Sequence, residues 1–374
     1  MKKILILLLS LAALSTWSCE EEAVTPDTEP NENTGSRSVV LHQATFEGLP
    51  IVVAGTGQRD LIVAFRRERA GVLHDFEVVQ GRLPVIMRDE RGNEWNIFGR
   101  AVNGPDVGAR LEYVNSGMGY WFAFGAFFPG VDLHGAEPLA VDIDADTTAD
   151  WALPTAYVGQ GTGFDGIPSL QDPDFITYSP ISQDPENPFY IQDDELVIVV
   201  SMNGETKVYP HKILDWHEVI NDEVGEVPIT VTYCPLTGTG KVWKREGQDA
   251  ASSFGVSGSL YNSNLLAFDR QTESFWSQLE AVCVFGDRRG ERMPLVPFVE
   301  TKWGTWRSID SNPLVMDERT GINRDYDEYP YGNYRTSPVI SYPLLYEDDR
   351  LFAKERVFSI IVNGEAKVFQ RDDF

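Results

Sequence analysis

LPIVVAGT at 49–56 and VPITVTYC at 227–234 read as one strand written twice, and the fold follows from setting them side by side. Pro50-Ile51 answers Pro228-Ile229, and Val53 answers Val231. Working outward at the same offset, Phe65 answers Trp243, and Phe76 and Val78 answer Phe254 and Val256. The offset then drifts by a few residues. Asp89 pairs with Asp269, Trp95 with Trp276, Gly104 and Gly108 with Gly286 and Gly290, and Trp121 with Trp303. A near-gapless series of Trp, Gly and Asp predicts an internal duplication, with copies over 49–129 and 227–313. The copies differ where chemistry would sit. Thr56 stands in the first where Cys234 stands in the second, and the segment carrying His217 and Glu218 has no counterpart before Leu49.

Short branched or apolar runs separated by Gly-containing turns predict a predominantly β protein with a minor helical share, a β-rich α+β class. Val39–Leu41, Pro50–Val53, Leu61–Phe65 and Val85–Met87 are such runs in a first unit over 38–135. Tyr120–Phe128 is strongly aromatic and reads as core packing. Residues 136–192 show no periodicity and read as an irregular connector. Asp142, Asp144 and Asp146 alternate there as in a calcium loop. Thr147 and Leu153 stand where such a loop needs Gly and Glu, so a solvated acidic loop is the better reading. The second unit, 193–374, opens with a hairpin, Leu196–Ser201 and Thr206–Tyr209 around Asn203-Gly204. Helical spacing follows from Pro210 to Asp222, and Gly225 is expected to end that helix. The strand Val227–Cys234 comes next, and a turn at Pro235–Gly240 whose backbone N–H groups are expected to face a ligand. The chain closes with VFSIIVNGEAKVF at 357–369, which repeats VIVVSMNGETKVY at 197–209. The first unit begins without such a hairpin and the chain ends with a spare one. The expectation is that the last hairpin pairs with the first unit near Val39–Val53.

The ends and the composition set the compartment. Lys2 and Lys3 followed by the apolar run Ile4–Leu14 read as a signal peptide over 1–18. Ser18-Cys19 resembles a bacterial lipoprotein cleavage site, so Cys19 is expected to carry lipid and hold the protein to a bilayer. Residues 19–37, rich in Glu, Thr, Pro and Asn, read as a disordered tether. The acidic triplet Glu20-Glu21-Glu22 looks like a surface-export signal, which places the protein in the bacterial cell envelope, at the outer membrane or cell surface. The 374 residues carry a net charge of −26, which repels phosphate backbones and argues against a nucleic-acid partner.

Further motifs are DGIP (165–168), YP (209–210), WHEVIND (216–222), TYCPL (232–236), FGVSG (254–258), LYNSNLLAFDRQTESFWSQ (260–278) and YPYGNY (329–334). In these, residues from about 160 onward resemble a bacterial family known as domain of unknown function 3179. The first half resembles an accompanying partner of that domain. The resemblance implies a fold and no established activity. The family often reads Cys-Pro-Leu-Cys where this chain has Thr237 in the second Cys position, which argues against a CxxC redox pair.

Cys234 at a strand end, with His217 and Glu218, is the candidate catalytic cluster, and Cys234 with His217 the candidate ligands for a transition metal. His217 fits a buried core histidine equally well, and Cys234 has a rival use in a disulfide with Cys283. Asp269, Arg270 and Glu273 form a second polar concentration. Asp89 in the matching place favours a turn-holding role for Asp269. No Ser-His-Asp order, phosphate loop or nucleotide fingerprint is present. Two functions therefore stand: a thiol- or metal-dependent site in the second unit, and a non-catalytic surface binding or assembly module.

Overall fold

A computed structural model describes residues 38–141, 143, 145–179, 189–247 and 252–374. Cys19 and its tether, and Asp142 and Asp144 of the acidic loop, lie outside the described residues.

Strands dominate, and they recur in one order. Val40–Phe46, Leu49–Thr56 and Leu61–Arg66 form an antiparallel sheet of three strands. A four-stranded meander of Phe76–Val78, Val85–Asp89, Glu94–Asn96 and Ala101–Asn103 follows, then Ser116–Tyr120 running straight into the helix Trp121–Phe127. In the second half Val219–Val224, Val227–Cys234 and Thr239–Lys244 pair in the same sense. The meander Phe254–Tyr261, Asn264–Asp269, Phe275–Ser277 and Val282–Phe285 follows, and Phe298–Lys302 runs into the helix Trp303–Ile309. The same device fixes both meanders. Trp95 donates its indole N–H to Asp89 Oδ2 at 3.0 Å, and Trp276 donates to Asp269 Oδ2 at 3.0 Å. Buried indoles need an acceptor, and a carboxylate across the turn supplies it while pinning the strand register.

The hairpins cap the two halves alike. Leu196–Met202 pairs with its own return strand Glu205–Pro210 and with Phe298–Lys302. Arg356–Val362 pairs with Glu365–Gln370 and with Ser116–Tyr120, setting Arg356 opposite Tyr120. The C-terminal hairpin thus joins the first unit, as expected, but through Ser116–Tyr120 and Asp132–Leu133 rather than through Val39–Val53. It reaches the latter only by side chains: Phe358, Ile360 and Phe369 share an apolar cluster with Ile51, Val53 and Ile62.

One element departs from its sequence reading. The helix is His211–His217 only, and Val219–Val224 is a strand. Glu218 ends the helix at φ 58°, reversing the chain, and Gly225-Glu226 forms the tight turn into Val227. The β-branched Val219, Ile220 and Val224 prefer the pleated surface, and six ladder pairs against Val227–Thr232 outweigh the remaining helical periodicity. Short pieces of the connector extend neighbouring sheets, Val158–Gln160 on Phe254–Tyr261 and Leu170–Gln171 on Val219–Val224.

Candidate functional site

The helix His211–His217 is about two turns long by helical geometry, roughly 10 Å, and its faces have separate duties. Ile213 and Leu214 are fully buried in an apolar cluster with Ile198, Tyr209 and Val231. His217, on the far side, is held at both ring nitrogens. Nδ1 lies 2.7 Å from the Pro168 carbonyl, so it carries the proton, and Nε2 lies 2.7 Å from the Tyr326 hydroxyl. Burial lowers its pKa. A neutral ring with both nitrogens engaged is the core-histidine arrangement, and it leaves no lone pair for a metal or a thiol.

Cys234 ends its strand fully buried, and its Sγ faces the Ser263 carbonyl at 3.7 Å. Burial, then the neighbouring Glu218 carboxyl, push its thiol up to about 11. The turn that follows spends its N–H groups on itself: Thr237 and Gly238 both donate to the Cys234 carbonyl, at 3.3 and 2.8 Å. The expected ligand-facing amides are thus occupied. Gly238, at φ 63°, also lets the Tyr120 ring lie where a Cβ would be 3.1 Å from it. Cys283 is buried too, and both thiols are free. Among the described residues no three His, Cys, Asp or Glu side chains group as metal ligands.

Asp269 holds its turn, accepting from the Thr272 N–H at 2.7 Å and from the Trp276 indole. Arg270 turns away from Glu273 and forks onto Asp165 at 2.7 and 2.8 Å. Of the sequence-derived candidates, the structure brings Glu218 and Cys234 together. Tyr233 donates its N–H to the Glu218 carbonyl at 2.8 Å, and Tyr331 donates its hydroxyl to Glu218 Oε1 at 2.7 Å.

A richer constellation lies on the remaining face of the same helix. His211 and Asp215 are spaced i and i+4, which stacks them on one side. His211 and Asp215 line a cavity of about 280 Å³ together with Tyr120, Glu195, Lys212, Tyr233, Arg335 and Arg356. Arg335 donates to Asp215 Oδ2 at 2.6 Å and lies 3.9 Å over the Tyr329 ring. Arg356 donates to Glu300, whose carboxylate is 3.9 Å from His211 Nε2. Lys212 is paired to Asp327 at 2.7 Å and to Glu195 at 3.3 Å. Each cation at the cavity wall thus has a counter-charge, while exposed Asp194, also in the lining, pairs with no cation among the described residues.

What the wall lacks is hydrogen-bond partners. Both ring nitrogens of His211, Asp215 Oδ1 and Arg356 Nε are buried there with no partner among the described residues, as is Glu300 Oε2 outside the lining. His211 is only 3% exposed, its ring against Tyr233 with centroids 4.4 Å apart. Burial, then the two guanidinium groups of Arg356 and Arg335, hold it well below the usual imidazole range. It is therefore a neutral base offering one donor and one acceptor. Burial lifts the Asp215 carboxyl to about 6 against the pull of Arg335. Buried polar atoms left unpaired each cost roughly 1–3 kcal/mol, so those at this cavity wall are a cost that a bound polar molecule would relieve.

The sequence reading missed His211, Asp215, Glu300, Arg335 and Arg356. The helical spacing of His211 and Asp215 was a usable signal. Arg335, directly after YPYGNY, and Arg356, at the head of the last hairpin, arrive from far along the chain, and no local pattern announces them.

Residues 164–374, more than half of the chain, match the model of the family described as "Protein of unknown function (DUF3179)". No curated protein and no solved structure matches the chain.

Proposed function

This chain belongs to the DUF3179 family, and we propose that it is a lipid-anchored, extracytoplasmic binding protein with the His211–Asp215–Arg335–Arg356 cavity as its ligand site. The ligand is a small, net-uncharged polar molecule rich in hydroxyl or amide groups. The observation that carries this reading is the set of unpartnered buried atoms on a wall whose cations are all paired. Arg356 Nε and one His211 nitrogen offer donors, and the other His211 nitrogen and Asp215 Oδ1 offer acceptors. Because Arg335, Arg356 and Lys212 already face carboxylates, an ionic ligand would have to displace an internal pair, which costs several kcal/mol when buried. A molecule with hydroxyls supplies donors and acceptors without that cost. The adjacent Tyr120 and Tyr233 rings give it apolar faces.

Thiol chemistry at Cys234 is the weaker reading, because a buried thiol held near 11 is almost wholly protonated at neutral pH. The anchor at Cys19 and the envelope location rest on the signal-like first residues and the acidic tether.

Thermal denaturation against a small-molecule panel tests the ligand class. A monosaccharide, a cyclic polyol and a small amide should include at least one compound that raises the midpoint in proportion to log concentration. Citrate, phosphate and tetramethylammonium should not. Stabilisation by the ions alone, or by nothing in the panel, defeats the proposal.

A further inference from the structure

A second cavity, of about 210 Å³, lies on the Glu218 side of the same helix and differs in kind from the first. Its wall is mostly apolar: Ile167, Leu236, Val256, Leu260, Leu265 and the Tyr342 ring. Exposed Gly161 and Thr162 form its rim beside Ser259. Gly258, at φ 80°, shapes that mouth, since a Cβ there would stand 2.5 Å from the Thr162 carbonyl oxygen. At the wall sits one carboxyl, Glu218, 6% exposed. Its single hydrogen bond is the one from Tyr331, and no cation pairs with it among the described residues. The ionisable groups around it are Tyr331, Cys234 and Asp215. Each is neutral when protonated and negative when not. A buried carboxyl in such company is short of a positive partner on electrostatic grounds alone.

We propose that this cavity is a second ligand site, for a small apolar molecule carrying a basic nitrogen, with Glu218 as the counter-ion of the bound ammonium. Apolar walls take the hydrocarbon part, and the one acid fixes the nitrogen. Glu218 titrates inside the working range, lifted to about 7 by burial against the Tyr331 hydrogen bond and with help from Asp215. Binding is therefore linked to a proton. An ammonium entering below that pH displaces the Glu218 proton to solvent. Above it the carboxylate is already formed and no proton is released.

Calorimetric titration of the full-length protein with cyclohexylamine tests the proposal, with cyclohexanol and cyclohexanecarboxylate as isosteric controls. The amine should bind more tightly than either control. Its affinity should rise about tenfold between about pH 6 and about pH 8.5, with proton release at the lower value seen as a difference in heat between phosphate and Tris buffers. Glu218→Gln should lower amine affinity at least about tenfold and leave cyclohexanol unchanged. Should that variant fail to fold, Ser259→Trp blocks the rim from a half-buried position and should abolish amine binding. No amine binding by the wild-type protein, equal affinity for amine and alcohol, or undiminished amine affinity in either variant overturns the assignment.

Discussion

His211 is the residue on which the site turns, because its two ring nitrogens are buried without partners while its ring packs well against Tyr233. Replacing it by Phe keeps the packing and removes the unpaired atoms. His211→Phe should therefore stabilise the ligand-free protein by about 1–3 kcal/mol in urea denaturation, and a loss of stability would mean that the ring is held by bonds of its own. Glu218 sets a pH dependence of opposite tone. Its folded pKa, about 7, lies above the 4.5 of a free Glu. Its stability contribution is thus complete below about 4.5 and is lost as pH rises through 7. Asp215, lifted to about 6, acts in the same direction. Glu218→Gln should remove about 3 kcal/mol of the decline between pH 4.5 and 8, and an unchanged pH profile in that variant would show that Glu218 is not buried as described. Cys234 and Cys283 should resist iodoacetamide at neutral pH in the folded protein and both react once it is unfolded. Rapid native labelling of Cys234 would restore the thiol reading.

At the scale of elements, the C-terminal hairpin matters most, since it supplies both a sheet partner and Arg356. Ile360 is fully buried, opposite Ser116 in the ladder and beside Ile51 and Val53 in the core. Ile360→Ala should cost about 2–5 kcal/mol. Hydrogen exchange should rise first in Ser116–Tyr120, and equal loosening of Val227–Cys234 would contradict the pairing. That hairpin was legible because Asn363-Gly364 sits between alternating apolar residues, as Asn203-Gly204 does in its twin. The helix boundary was not. Ile213, Leu214, Ile220 and their neighbours satisfy a helical period as well as a strand one. Only the ladder from Val219 to Val224 decides between them, and that depends on partners downstream. The site around His211 was not read from the sequence for the same reason. His211 and Asp215 carry a local helical spacing, whereas Arg335, Arg356 and Glu300 meet His211 only through the tertiary fold.

At the scale of the whole molecule, the two halves share element order and the Asp–Trp clasp, yet the polar machinery gathers in one place. The helix His211–His217 and the Glu218 that ends it face two cavities of different character, one polar with its cations paired, the other apolar with a single carboxyl. With an anchor at Cys19, such a binding protein would be held at a membrane. Wild-type protein should then partition with the membrane fraction and Cys19→Ala should not, because an acidic tether has no bilayer affinity of its own. Recovery of the unmodified wild-type protein in the soluble fraction would remove the anchor from the account. The central claim, that the cavity around His211 is the ligand site, is tested most directly by a crystal structure with the most stabilising uncharged panel compound. The account predicts density for that compound between His211 and Arg356, within hydrogen-bond reach of the His211 ring, Asp215 Oδ1 and Arg356 Nε. Density elsewhere on the protein, with the His211 nitrogens still unpaired, would contradict it.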